Sequence, residues 1–313
     1  MQSVLRRDAR IDSAHFSTKI EANPLSRDEV SEIEQKHDSS RSTETQEVRN
    51  YLRALQYIHD KPSSTKLNID LLKRLHAIIE VRRYPGRRPT LSGFRSTQNS
   101  VTDDRTGALE YLPPEPSDVP WLCDSLMMWL NGAAKEEPAP VAAAIAQYQL
   151  VTIHPWMDGN GRTSRAFGTL LLRRSGYDLK GFFSIEEQFD RDLAGYYGAL
   201  QNDLHHNYYF GRNKADLTRW LTFFLRNMAT VFSAVKDEVL SYAKGPVAGV
   251  KRDVSYERAL RSLHTQTFTL KDITGKLNVA DRTARKYVHR WLDSGKAEVV
   301  DFSKKKRKYK FLN

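Results

Sequence analysis

A chain of 313 residues, 40% of them hydrophobic, is long enough for about two domains with real cores. Its one cysteine, Cys123, excludes an intramolecular disulfide, and no stretch approaches a membrane span. The N-terminal MQSVLRRDARIDSAHFS has no apolar targeting core, so a soluble cytoplasmic protein is expected. The net charge of +11 is unevenly spread: 17 Lys/Arg against 7 Asp/Glu between Lys251 and Asn313 account for nearly all of it. That asymmetry predicts a separate C-terminal module with an anionic partner.

In chain order, residues 12–23 (DSAHFSTKIEAN) read as a short polar helix anchored by Ile20 and ended by Pro24. Ser26 with Glu29 spells a capping box, and DSSRST a loop. Thr43 with Gln46 opens a helix whose apolar face is Val48, Tyr51, Leu52, Leu55 and Ile58. Ile69, Leu72, Leu75 and Ile79 trace another. Between Tyr84 and Pro116 the helical period gives way to turn punctuation and short strand-like runs. Ser117 to Leu130 reads as a core helix and AAKEEPAP as a loop.

Next comes an apolar, alanine-rich run, Val141 to Ile153, then HPWMDGNGRTSR (His154 to Arg165), then AFGTLLLRRSG ending on Gly176. The pattern predicts helix, tight turn, helix, the second starting near Asn160. Gly159 and Gly161 allow the backbone close to a ligand, and a helix start is a site for anions. Arg162 and Arg165 add cations shaped for phosphate oxygens. Asp158 is a carboxylate suited to Mg²⁺, and His154 a group able to move a proton near neutral pH. Such chemistry suits a nucleotide.

Downstream, Asp190 to Leu204 is expected to be helical, placing His205 and His206 on different helix faces as surface or packing residues. Leu217 to Tyr242 follows as one long helix, and residues 244–253 as a linker. The tail reads as helices over Val254–His264, Leu270–Leu277 and Arg282–Ser294, then two strand-like runs, AEVVDF and KYKFL, joined by SKKKR. That order suggests a winged helix–turn–helix over 254–313. Its third helix would bury Ala284, Val288, Trp291 and Leu292 and present Arg282, Arg285, Lys286 and His289 to DNA, although winged helices also dock proteins.

The stretch His154 to Arg165 resembles the signature of the Fic (filamentation induced by cAMP) family, His-Pro-Phe-x-Asp/Glu-Gly-Asn-Gly-Arg-x-x-Arg, with Trp156 in place of Phe. The resemblance implies a mainly α fold with a short β-hairpin flap, in a Fic domain over 41–243 after an N-terminal region, 1–40. It implies a protein adenylyltransferase that moves AMP from ATP, with Mg²⁺, onto a Ser, Thr or Tyr hydroxyl of a target protein. His154 would be the base and Asp158 the metal ligand. Gly159, Asn160, Gly161, Arg162 and Arg165 would hold the phosphates, with Tyr196 and Tyr197 on the adenine side.

Ser17-Thr18-Lys19-Ile20-Glu21-Ala22-Asn23 is similar to the family's inhibitory motif, Ser/Thr-x-x-x-Glu-Gly/Asn. Either Ser17 or Thr18 supplies the hydroxyl, and Ala22 stands where Gly or Asn is usual. Glu21 would then pair with Arg165 and repel the γ-phosphate. GFR-xx-QN-x-V and YLPPEP are similar to the flap region, which implies target docking along Thr97, Gln98, Asn99, Ser100 and Val101, with an edge over 97–102. Two readings stay open beside adenylyl transfer. One is removal of AMP by the same site with Glu21; the other is a nucleotide-sensing DNA-binding regulator. A homodimer, with Glu21 acting within or across chains, is left open too.

Overall fold

The computed structural model describes residues 2–35, 42–80, 91–103, 106–178, 181, 183–201, 204–210, 215–243, 267–277, 280–293, 296–301 and 307–311. Parts of the sequence reading lie outside them: most of the DSSRST loop, the start of the irregular stretch at 84–90, the linker, the 254–264 helix and most of SKKKR. The chain divides into two compact units, Met1–Glu238 and Val239–Asn313.

The first unit is helical around one core. Its helices are α1 (Gln2–Ile20), α2 (Arg27–Gln35), α3 (Thr43–His59) and α4 (Ile69–Ile79), then α5 (Val119–Asn131), α6 (Ala139–Ile153) and α7 (Asn160–Arg174). After these come α8 (Glu186–Arg191), α9 (Leu193–Gln201) and α10 (Thr218–Ala243), whose residues from Val239 on are counted with the second unit. The central pair is α6 and α7. Alanines 143, 144 and 146 are fully buried, and these small side chains let neighbouring backbones approach closely. Phe167, Leu170 and Leu172 of α7 complete the seam, and Trp220 donates its indole N–H to the Ala144 carbonyl at 2.8 Å.

Several boundaries differ from the sequence reading. The N-terminal helix starts at Gln2 rather than near residue 12 and ends at Ile20. The Ser26–Glu29 box forms: Ser26 N donates to Glu29 Oε2 at 2.8 Å, and Glu29 N to Ser26 Oγ at 3.3 Å. For α3 the cap is Ser42, accepting from Thr45 N, rather than Thr43. AAKEEPAP contains a 3₁₀ turn, Ala133–Glu136. The expected single helix over 190–204 is two, because the Asp192 side chain accepts from Gly195 N at 3.0 Å and caps a new start. α9 ends at Gln201, so His205 and His206 are not helical.

The flap is shorter than expected. β1 (Val101–Thr102) pairs antiparallel with β2 (Leu109–Tyr111), so residues 97–100 are not strand. Gln98 and Asn99 turn their amides inward instead, Gln98 Nε2 donating to the Pro113 carbonyl at 2.9 Å and Asn99 Nδ2 to that of Trp156 at 3.1 Å. Ser100, Val101 and Thr102 are exposed.

In the second unit α11 (Leu270–Leu277) and α12 (Asp281–Asp293) precede an antiparallel ribbon, β3 (Ala297–Asp301) and β4 (Lys308–Phe311). Phe268 bridges to Tyr309. Ala284, Tyr287, Val288 and Trp291 of α12 join Phe268, Ile273 and Phe311 in a small core of their own, with Leu292 packed at its margin. Arg282, Arg285, Lys286 and His289 are exposed on the opposite face of α12.

Candidate active site

The link between α6 and α7 is compact because two residues take left-handed backbone. His154, which caps α6, has φ 53°, and Gly159, which caps α7, has φ 74°. Asn160 closes the turn from inside: its Oδ1 accepts from Trp156 N at 3.0 Å and its Nδ2 donates to the Trp156 carbonyl at 2.8 Å. Both ends of the amide are therefore engaged with the loop itself, which departs from the phosphate contact expected of this side chain. Trp156 is buried and stacks on His76, ring centroids 3.9 Å apart. His76 Nε2 donates to the Asp158 carbonyl at 3.0 Å; a carbonyl only accepts, which fixes the proton on that nitrogen.

His154 follows the same logic. Nδ1 lies 3.1 Å from the Val151 carbonyl, so Nδ1 carries the proton and Nε2 holds the lone pair. Burial, aided by Arg95, lowers the pKa to about 4 against the Val151 hydrogen bond, so the ring is neutral at physiological pH. Arg95 buttresses it: Nε donates to the His154 carbonyl at 2.9 Å and the Arg95 amide to the Pro155 carbonyl at 2.9 Å. Its remaining donors reach Gln98 Oε1 at 2.7 Å and the Pro114 carbonyl.

The low folded pKa of His154, about 4 against 6.5 for an ordinary histidine, has a sign. The unfolded chain binds more protons between those values, so this contribution to stability is complete above pH 6.5 and lost as pH falls towards 4. Between pH 6.5 and 4 the thermal midpoint of the wild type is expected to fall more steeply than that of His154→Ala. Parallel curves would show that the ring is not held neutral.

Arg165, 1% exposed, is the best-held cation of the site. Nη2 donates to Glu21 Oε1 at 2.7 Å and to the Ser17 carbonyl at 2.8 Å, Nε to Ser17 Oγ at 2.9 Å, and Nη1 to the Tyr196 hydroxyl at 3.3 Å. Of the two hydroxyls left open by the sequence, Ser17 faces Arg165, whereas Thr18 bonds back to the Ala14 carbonyl. Glu21 reaches Arg165 within one chain. A Cβ on Gly161 would stand 2.1 Å from Glu21 Oε1, so the carboxylate rests on the first turn of α7, where an anion is favoured. Beyond Glu21, Ala22 has φ 64°, which supplies a physical reason for Gly or Asn at that position.

Arg162, also buried, pairs with Glu80 at 2.8 Å, Glu47 at 3.4 Å and Asp158 at 3.5 Å. The Asp158 side chain is 53% exposed, and its Oδ1 accepts from Gly159 N at 2.6 Å. One accessible carboxylate beside a helix start and two arginines fits Mg²⁺, which commonly takes one or two carboxylates and fills its shell with phosphate oxygens and water. Among the described residues no cluster of three or more His, Cys, Asp or Glu offers a fuller metal cage.

The two tyrosines diverge. Tyr196 is buried and stacks on Phe189, its hydroxyl committed to Arg165, so its ring is core rather than a platform for a base. Tyr197 is 45% exposed and donates to the Ile20 carbonyl at 3.1 Å. His76, Glu80, Glu47 and Arg95 carry no signal in the sequence that marks them as site residues beyond the GFR spelling around Arg95.

Residues 66–172 match the sequence model of the Fic/DOC family. A curated relative named Protein adenylyltransferase Fic, from Culex quinquefasciatus, is 33% identical over 178 residues, covering 55% of this chain and 33% of that protein. The protein of the same name from Drosophila ananassae is 47% identical over 68 residues, 21% of this chain and 14% of its own length. This chain thus spans about a third or less of the length of such relatives. Among solved structures, a Fic family protein from Desulfovibrio desulfuricans superposes with TM-score 0.61 at 22% identity, over 98% of this chain and 87% of that one. A Fic domain containing signaling protein from Bacteroides thetaiotaomicron gives TM-score 0.61 at 23% identity, over 75% and 90%. At these identities the superpositions speak to the fold alone.

Proposed function

Because this chain belongs to the Fic family, we propose that it is a protein adenylyltransferase held in check by its own Glu21. The observation that carries this reading is the 2.7 Å pair of Glu21 with Arg165, its carboxylate resting on Gly161 at the start of α7, in the same loop-and-helix segment as a neutral His154. ATP is the donor and a side-chain hydroxyl of a protein the acceptor. His154 Nε2 takes the hydroxyl proton as that oxygen attacks the α-phosphorus; the bond from the α-phosphorus to its β-bridging oxygen breaks, and pyrophosphate leaves. Arg162, Arg165 and the amides at the start of α7 hold the β- and γ-phosphates in line, since positioning and charge neutralisation dominate phosphoryl-group catalysis. Asp158 would hold Mg²⁺, which supplies further neutralisation of the departing pyrophosphate. Glu21 opposes all this by occupying Arg165 and placing negative charge where the γ-phosphate belongs. Transfer of label from α-³²P ATP to protein tests the reading, and absence of label in wild type, Glu21→Gly and His154→Ala alike would overturn it.

The same site run in reverse removes AMP from a modified target, with Glu21 orienting the attacking water. Its Oε1 lies at the first turn of α7 and its side chain is 36% exposed, which favours such a role. Release of AMP from a labelled target that requires Glu21 distinguishes this direction.

A reading of another class rests on the second unit as a winged helix that binds DNA. Arg282, Arg285, Lys286 and His289 stand exposed along one face of α12, opposite its buried Ala284, Val288 and Trp291. Duplex affinity of the full chain should then fall with salt, by a log–log slope of about −0.9 per phosphate contact. A flat salt response would favour protein docking.

The described residues include no helix long and apolar enough to cross a membrane. We infer a cytoplasmic setting from the single buried cysteine and from ATP as donor.

A further inference from the structure

Both glycines of the α6–α7 loop make room for a carboxylate. Gly161 accommodates Glu21; at Gly159 a Cβ would meet Glu80 Oε1 at 2.5 Å and its Cδ at 2.8 Å. The two carboxylates differ in how they are held. Glu21 sits just beyond the end of α1, its side chain 36% exposed, whereas Glu80 caps α4 and is 13% exposed. The Glu80 amide donates to the His76 carbonyl at 2.9 Å, so the last turn of α4 carries both residues on one face. His76 grips the loop through Trp156 and the Asp158 carbonyl; Glu80 grips it through Gly159 and Arg162.

Arg162 is 3% exposed, and a guanidinium this deep needs a fixed counter-charge. Glu80 Oε1 supplies it as an ion pair with Nη2 at 2.8 Å. Nε and Nη1 donate no hydrogen bond among the described residues, Glu47 standing 3.4 Å from Nη1 with its other oxygen held by Asn23 Nδ2 at 3.0 Å. One edge of the fork is thus pinned and two donors are left to a ligand.

We propose that Glu80 is a positioning residue for the nucleotide: it fixes Arg162 so that Nε and Nη1 meet the β-phosphate. This rests on the adenylyltransferase reading and adds to it a wall-mounted carboxylate that assists binding, in contrast to Glu21, which obstructs it. Glu80→Ala leaves a buried arginine free to swing; Glu80→Gln keeps the shape over Gly159 but removes the counter-charge.

The test is calorimetric titration of ATP and, separately, AMP, each with Mg²⁺, into Glu21→Gly protein and its Glu80→Ala and Glu80→Gln derivatives. Melting midpoints are recorded for all three. Glu80→Ala should bind ATP roughly tenfold more weakly, because the buried arginine loses the counter-charge that orients it. Its affinity for AMP, which lacks the β-phosphate, should be unchanged, and Glu80→Gln, which keeps the shape but not the charge, should show the same ATP-selective loss. Tighter ATP binding in Glu80→Ala would make Glu80 a second inhibitor and unchanged binding would give it no part in nucleotide binding; either overturns the proposal, as would equal loss of ATP and AMP. If the Glu21→Gly parent binds neither nucleotide, the nucleotide reading fails and this inference falls with it.

Discussion

Glu21→Gly raises adenylyl transfer to protein by on the order of 10²-fold, the worth of one well-placed donor to a developing charge. The residue stabilises nothing apolar. Its carboxylate is one of four oxygen partners of Arg165, and it lies on Gly161 where a phosphate would lie. Its removal leaves Ser17 and Tyr196 to hold the guanidinium, so Arg165 keeps its orientation and gains an Nη2 donor for the γ-phosphate. The measurement is incorporation of label from α-³²P ATP, alongside ATP affinity. An increase in affinity and in label together is the expected result. If neither changes, the pair with Arg165 is structural and α1 is not an inhibitor.

His154→Ala, made on the Glu21→Gly background, lowers kcat/KM by about 10²–10⁴-fold, the span of general-base catalysis. ATP affinity should stay within a few-fold, because in the proposed mechanism His154 acts on the acceptor hydroxyl and the phosphates are held by other groups. The pH profile carries independent information. kcat/KM reports the free enzyme, where the ring's pKa is about 4, so the base is already deprotonated at pH 6. The rate is therefore expected to be level between about pH 6 and 8 as far as this group is concerned and to fall only towards its pKa. A limb with a midpoint near that of an ordinary histidine would mean that the ring is more solvated than its packing against Val151 and Arg95 implies.

The chemistry of the α6–α7 loop was readable because every part of it is local. A base, a carboxylate, two glycines and two arginines fall within His154 to Arg165, and helix periodicity on either side sets their geometry. What supports the loop was not readable, because it arrives from far along the chain. His76 reaches Asp158 across 82 positions, and in sequence it is one more polar residue on an amphipathic helix. Glu47 and Glu80 look like solvated charges until the fold places them on Arg162. The break between α8 and α9 was within reach, since Asp192 three residues before Gly195 is a capping signal inside an apparently continuous pattern. The flap was overextended for a different reason. Gln98 and Asn99 alternate like strand residues, yet each is fixed by side-chain bonds to the backbone around it, and only Val101–Thr102 pair across.

Ala22 gives the clasp on the active site a built-in slackness. With φ 64° directly after Glu21, it bears the left-handed conformation that costs a residue with a Cβ about 1–2 kcal/mol. If α1 lifts away and residues 20–23 relax, that strain is returned, and about 1.4 kcal/mol shifts a two-state balance tenfold. A chain with glycine in that place would close more firmly and leak less. Ala22→Gly is therefore expected to raise the thermal midpoint, by removing that cost from the folded chain.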